Sequence, residues 1–176
     1  YARATNFSGT GVEINSCGDV DVECYVDGNY TGTTAQTASG SLGVDCDPRG
    51  FYDNTARLGL VGAQNLRVRP TVERVGDGMF IRGSGVEVIS PRIVGVIDTG
   101  IQVLRETQAP NQVTFPSVFP INPKGVRITD PIVINAGGIG LHISEAEQVS
   151  IEGGLLRGCG QNTALATTAR NGFQAT

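Results

Sequence analysis

Short apolar segments, separated by Gly, Ser and Pro, alternate with polar positions along most of the chain. The stretch from Gly78 to Val96, GMFIRGSGVEVISPRIVGV, contains three such segments. In the first two, every second residue is apolar, as in Met79 and Ile81 and again in Val86 and Val88. A period of two is typical of a strand with one buried face, so the stretch predicts three short β-strands joined by tight corners.

The same pattern returns at a period of about 20 to 22 residues. In the first strand of each copy, the predicted inward positions are Val12, Leu58, Met79, Ile101 and Leu141, followed two residues later by Ile14, Leu60, Ile81, Val103 and Ile143. In the second strand they are Val20, Leu66, Val86, Val126 and Val149, followed by Val22, Val68, Val88, Ile128 and Ile151. Gly172 and Phe173 match the start of one further copy.

A repeat of this length predicts an all-β solenoid, a single-stranded parallel β-helix of about five to six rungs. Each strand would pair with its equivalent in the next rung, which removes the need for hairpins. Residues 1–176 are expected to form one domain, with insertions at about 31–54 and 106–124. Since the chain begins at Tyr1 and its last copy is incomplete, we expect it to be a piece of a longer protein.

Composition supports a turn-rich chain and argues against several kinds of partner. Glycine accounts for 25 of the 176 residues, about twice the usual share of roughly 7%. We expect these glycines to supply positive φ angles at the corners. The net charge of −4 argues against nucleic acid and anionic membranes as partners. No apolar run is long enough to span a membrane.

The cysteines show no spacing that is typical of a metal or redox site. They are Cys17, Cys24, Cys46 and Cys159, and no two of them are separated by two residues. Buried free thiols are the favoured interpretation, and a bridge among the first three remains an alternative. The carboxylates between Gly43 and Asn54 favour a polar turn over a calcium site. The sequence therefore predicts no metal site and no cofactor.

The repeat G-x-x-I-x-G…G-V-x-V/I-x-x-P-x-I, seen in residues 78–160, resembles the right-handed parallel β-helix of the pectate-lyase-like superfamily. Among its members the chain most resembles bacteriophage tailspike and tail-fibre proteins. The resemblance implies a homotrimer in the virion tail, outside the cell. It would contact other tail proteins and bind, and often cleave, bacterial surface polysaccharide. Typical polygalacturonase segments (Asn-Thr-Asp or Gly-Gly-His) are absent, which argues against a pectinase.

Two alternatives stay open beside the tailspike hypothesis. One is a secreted bacterial polysaccharide lyase or glycoside hydrolase. The other is a non-catalytic structural shaft. Phe80, Phe115 and Phe119 are candidates for a seam between three chains.

Alternation also predicts which side chains point outward, where a ligand would bind. The first strands present Glu13, Gly59, Phe80, Gln102 and His142, and the second strands present Asp21, Arg67, Glu87, Arg127 and Ser150. Predicted sugar-binding residues are Phe80, Gln102, His142 and Arg127, because an aromatic ring packs on a pyranose and polar groups bind its hydroxyls. The second set could equally be a structural ladder of alternating charges.

Cleavage of a glycosidic bond requires two carboxyl groups. The predicted catalytic residues are Glu87, Glu106 and Asp98, with acid and base left unassigned. The insertion at about 106–124 follows the Gln102 strand and could form one wall of a glycan groove.

Overall fold

The computed structural model describes residues 1–7, 9–15, 18–29, 42–47, 64–105, 122–161 and 172–176. Every secondary-structure element assigned in these residues is a β-strand, which confirms the all-β prediction. In chain order they are β1 (Ala2–Thr5), β2 (Thr10–Asn15), β3 (Gly18–Asp27), β4 (Leu42–Asp47), β5 (Gln64–Glu73), β6 (Asp77–Ile81), β7 (Val86–Ile89), β8 (Arg92–Val94), β9 (Ile101–Leu104), β10 (Arg127–Thr129), β11 (Ile132–Ile134), β12 (Leu141–Ser144), β13 (Ser150–Glu152), β14 (Leu155–Arg157) and β15 (Phe173–Ala175).

The strands form two sheets in which the paired strands are parallel. The six-stranded sheet has the order β15-β12-β9-β6-β4-β2. The nine-stranded sheet follows the path β13-β10-β7-β5-β8-β11-β14, and β3 joins it by pairing with both β1 and β5. β5 pairs with two successive strands along its length: its first half pairs with β7 and its second half with β8.

The strand register agrees with the predicted repeat through most of the chain. Met79 pairs with Ile101, and Ile101 pairs with Leu141. In the other sheet Val68 pairs with Val88, and Val88 pairs with Ile128. Side chains of this kind fill the core and lose essentially all contact with water. Burial of each is worth about 1.5–3 kcal/mol, so the stacked aliphatic rows are the main stabilising contribution.

One predicted pair of core positions differs from the structure. Val44 and Cys46, not Leu58 and Leu60, stand between the Val12 strand and the Met79 strand. Both are fully buried, and they lie on β4, inside the predicted insertion at about 31–54. The segment LGVDCD alternates apolar and polar residues as the other strands do, with cysteine acting as a small apolar side chain. Leu58 and Leu60 lie outside the described residues.

A glycine row runs beside the six-stranded sheet, one residue before each inward position of its strands. Its members are Gly11, Gly43, Gly78, Gly100, Gly140 and Gly172. A Cβ atom on any of the first five would collide with the backbone carbonyl of the next glycine in the row. The expectation that the glycines adopt positive φ is therefore wrong for Gly78 and Gly100, where close backbone approach is the reason for glycine.

At the corners the expectation holds for several glycines, among them Gly85, Gly95 and Gly125, and polar residues also adopt positive φ there. Asp19, Asn65 and Gln148 have φ values of 53°, 52° and 54° at the position before the second strand, where other rungs carry Gly85 and Gly125. Asn and Asp tolerate this conformation better than other side chains. Asn65 Nδ2 also donates a hydrogen bond of 3.1 Å to Asp19 Oδ1 across consecutive rungs.

Candidate functional site

The predicted outward residues lie on two different sheets. Phe80, Gln102 and His142 occupy paired positions in the six-stranded sheet, and we call them the outer row. Glu87 and Arg127 are paired in the nine-stranded sheet. The sequence-predicted binding and catalytic residues therefore form two groups and not one cluster.

The outer row continues on both sides of its three predicted members. Gln174 pairs with His142 at one end, and Asp45 pairs with Phe80 at the other. Neighbouring strands are about 4.8 Å apart, so the row is a narrow strip of one aromatic and several polar side chains. Its three members are partly exposed. Asp45 takes the place predicted for Gly59, which lies outside the described residues.

A buried ion pair supports the aromatic end of the row. Arg82 Nη2 lies 2.7 Å from Asp45 Oδ2, and their side chains are only 14% and 3% exposed. The Arg82 guanidinium also lies 5.4 Å from the centroid of the Phe80 ring, within the range of a cation–π contact. The ion pair fixes the Arg82 guanidinium, and the guanidinium in turn restrains the Phe80 ring.

Asp77, which the sequence pattern does not indicate as a site residue, contacts Gln102, the middle member of the row. Its Oδ1 accepts hydrogen bonds from the Thr99 backbone N–H at 3.1 Å and from Gln102 Nε2 at 3.4 Å. Burial raises the pKa of Asp77 to about 6, and the charge of Asp98 adds to the rise while the two hydrogen bonds oppose it. The Asp77-Gly78 pair resembles a turn in sequence. Only its alignment with Thr99 in the next repeat indicates that Asp77 accepts hydrogen bonds from the neighbouring strand.

Asp98, a predicted catalytic residue, lies at the corner that leads into the Gln102 strand. The Asp98 backbone N–H donates a hydrogen bond to the Gly76 carbonyl, and the Asp98 carbonyl accepts one from the Gly138 N–H. Glycine therefore stands beside Asp98 in both neighbouring repeats. Burial raises the pKa of its carboxyl group, while the Thr99 hydroxyl, which donates a hydrogen bond of 3.4 Å, lowers it. Asp98 is thus a half-buried carboxyl group on the same edge of the sheet as Asp77.

His142 is the only histidine of the chain and is mainly neutral at pH 7. Partial burial lowers the pKa of its imidazole below the usual range. A neutral imidazole has one N–H donor and one acceptor nitrogen, which suits hydrogen bonding to hydroxyl groups.

The second group of predicted residues forms a ladder of ion pairs. Glu87 Oε2 accepts a hydrogen bond of 2.9 Å from Arg67 Nε, and its other oxygen lies 3.9 Å from Arg127 Nη1. Arg127 in turn bonds to Glu152 at 2.9 Å. Each of these side chains is bonded to a neighbour of opposite charge, which favours the structural interpretation of this ladder. A cleft of about 440 Å³ opens beside Arg67 and Glu87.

Several predicted residues lie outside the described residues. They are the catalytic candidate Glu106, the seam candidates Phe115 and Phe119, and Cys17. Their predicted roles stay predictions.

Cys24 and Cys159 are free thiols in the described part of the chain, and Cys24 is buried. Cys46 is also buried, as a core side chain of β4. The alternative of a bridge that involves Cys17 stays a prediction. Burial, with a smaller contribution from the charge of Glu23, raises the pKa of Cys24 to about 11. Such a thiol is a poor nucleophile at neutral pH.

The described ranges contain no cluster of three or more His, Cys, Asp or Glu residues placed to hold a metal ion. Over the same residues, no helix has the length and apolar character that a membrane crossing requires.

Comparisons of the chain with protein-family models, with curated proteins and with solved structures find no match.

Proposed function

We propose that the chain coils as a right-handed parallel β-helix of the tailspike kind, and that its outer row binds bacterial surface polysaccharide. Parallel pairing of each strand with its equivalent one repeat later supports the coil. In this proposal the protein belongs to a virion tail, where it contacts the host surface from outside the cell.

The alignment of Phe80, Gln102 and His142 on consecutive strands is the observation that carries the proposal. An aromatic ring packs against the apolar face of a sugar, while amide and neutral imidazole groups bind hydroxyls. Because the row crosses the strands, it provides repeated contacts in one direction. An extended polymer can use such contacts, whereas a compact small molecule cannot.

The charges beside the row favour a neutral polysaccharide. The two arginines nearest to it are each bonded to a carboxylate, Arg82 to Asp45 at 2.7 Å and Arg105 to Glu145 at 2.6 Å. Neither guanidinium is an uncompensated charge that would attract an acidic polymer. The net charge of −4 acts in the same direction.

Hydrolysis of the bound polymer would require two carboxyl groups, at least one of them beside the row. Asp98 fits that position better than Glu87, because its pKa is raised by burial and no arginine bonds to it among the described residues. Release of reducing ends by wild type but not by an Asp98→Asn variant would support this addition. Full activity in that variant would exclude Asp98 as a catalytic residue.

The proposal is tested by binding purified capsular polysaccharides and lipopolysaccharides from a panel of bacteria to the immobilised protein. We expect at least one neutral polysaccharide to bind. Phe80→Ala should weaken binding about tenfold, which corresponds to the loss of one stacking contact. Arg127→Ala serves as the matched control on the other sheet and should leave the affinity unchanged. Failure to bind any polysaccharide, or equal loss in both variants, would overturn the proposal.

A further inference from the structure

Asp77 occupies an unusual position for an acidic residue. It begins β6 and pairs with the buried Leu42 of β4 on one side, while the buried Thr99 aligns with it on the other. Its carboxyl group is mostly removed from water. A carboxylate in such a place needs hydrogen-bond donors to remain charged.

Within the described residues, two donors reach this carboxylate, and both bond to Oδ1. Thr99 supplies its backbone N–H, and Gln102 supplies its side-chain amide. An ionised carboxylate only accepts hydrogen bonds. It therefore selects the orientation of the Gln102 amide in which Nε2 points toward Asp77, which leaves the acceptor Oε1 for another partner.

The surrounding charges make this carboxylate sensitive to pH. The titratable or charged side chains near Asp77 on the neighbouring elements include Asp98 before β9, Asp45 and Cys46 of β4, Arg82 after β6, Arg105 after β9, and His142 and Glu145 at β12. Of these, Asp98 acts against ionisation of Asp77, and both arginines are engaged with other carboxylates. Burial raises the pKa of Asp77 to about 6, so it is ionised at neutral pH and protonated in mildly acidic conditions.

Protonation would change what the neighbouring amide can do. A protonated carboxyl group carries an O–H donor, which competes for the Gln102 Oε1 acceptor. The charge-assisted bond to Nε2 is also lost, and a neutral bond is about half as strong.

We propose that Asp77 is a positioning residue that orients Gln102 to accept a hydrogen bond from a sugar hydroxyl, and that protonation of Asp77 releases this orientation and weakens binding. The ligand part of this inference rests on the proposed function. It adds that the row recognises a hydroxyl donor at Gln102 and that its affinity depends on pH near 6.

The first experiment uses the protein without ligand. The Gln102 side-chain amide signals are followed by NMR from about pH 5 to about pH 8. We expect them to shift with a midpoint near 6 in wild type, and we expect no such shift in Asp77→Asn. The matched control is Asp98→Asn, which should keep the titration but lower its midpoint, because one neighbouring charge is gone. Signals that do not titrate, or that titrate unchanged in Asp77→Asn, would overturn the inference.

The second experiment measures affinity for the best-binding polysaccharide over the same pH range. Wild type should bind about tenfold more weakly at the acidic end. Because the imidazole of His142 gains a proton at acidic pH, Asp77→Asn is tested in the His142→Gln background. The single His142→Gln variant should retain the dependence on pH, and the double variant should show an affinity independent of pH. If Gln102 titrates as expected but affinity stays constant in wild type, the positioning role is wrong. If no polysaccharide binds at any pH, the proposed function fails, and the first experiment alone decides the Asp77–Gln102 coupling.

Discussion

The neighbouring strands give the acidic side chains of this protein very different bonding partners. Glu87 is flanked by Arg67 and Arg127, while Asp77 is bonded by a backbone N–H and an amide. Alternation in the sequence identifies Glu87 as outward-facing. Alternation does not identify Asp77 as a buried residue, because the burial of a carboxylate at a corner depends on the residues of the next repeat. The sequence therefore predicts the outer row itself but not the residue that orients one of its members.

Replacement of Asp77 by Asn should stabilise the protein at neutral pH. An acid whose pKa rises on folding from 3.8 to about 6 binds its proton more tightly in the folded state. The wild-type protein therefore loses stability as the pH rises between these two values, and the full penalty is present at pH 7.5. We expect Asp77→Asn to raise the free energy of unfolding by about 1–2 kcal/mol at pH 7.5 and to leave it nearly unchanged at pH 4.

Urea unfolding at both pH values measures this difference. Asp130→Asn is the control, since Asp130 is exposed and already has a positive φ of 48°, which Asn tolerates. Its effect should stay within about 0.5 kcal/mol. A less stable Asp77→Asn protein at pH 7.5 would contradict the assigned burial penalty.

At the scale of strands, the hydrophobic period alone could not decide which segment follows β2 in the sheet. Both LGVDCD and RLGL alternate apolar residues, and RLGL has the better spacing from Met79. The glycine row distinguishes them. Gly43 precedes Val44 as Gly78 precedes Met79, but Arg57 precedes Leu58. A side chain at that position would collide with a backbone carbonyl of the next repeat. The glycine before each inward residue therefore predicts the strand pairing better than the spacing of the apolar residues does.

Gly100 tests the glycine row directly. A Cβ at this position would lie 2.5 Å from both the Gly140 carbonyl oxygen and Val133 Cγ1. Neither neighbour can move freely, because one is sheet backbone and the other is a core side chain. We expect Gly100→Ala to lower the free energy of unfolding by at least about 2 kcal/mol, measured by urea unfolding.

Gly95 provides the matched control for this substitution. It has a positive φ of 65° with open space around it, and the equivalent residue one rung later is Asn135. Gly95→Asn should therefore change stability by less than about 1 kcal/mol. Equal losses in the two variants would show that loss of glycine flexibility, and not close backbone approach, sets the cost.

For the molecule as a whole, the sequence predicts the class of fold well and the location of a site poorly. Alternating residues recur once per sequence repeat, so the parallel sheets and most of the core follow from the pattern. The outward rows recur equally well on both sheets, and periodicity alone cannot choose between them. The choice depends on how side chains of neighbouring strands pair, as in the Glu87 ladder and the Asp77–Gln102 contact.

Stability should decline from the centre of the sheets toward the last strands. Ile101 and Val103 are fully buried on β9, which pairs on both sides. Phe173 is 52% exposed on β15, which pairs with β12 in the described part of the chain. Amide hydrogen exchange should be slowest at Ile101 and Val103 and much faster at Phe173. Uniform exchange along the six-stranded sheet would contradict a local gradient and indicate one cooperative unit.

The most direct test of the central claim is NMR mapping of an oligosaccharide prepared from the best-binding surface polysaccharide. We predict that the largest changes on titration fall on the Phe80 ring, the Gln102 side-chain amide and the His142 ring, with the arginine Nε signals of Arg67 and Arg127 unaffected. Changes confined to the charge ladder, or none at saturating oligosaccharide, would contradict the assignment of the outer row as the polysaccharide-binding surface.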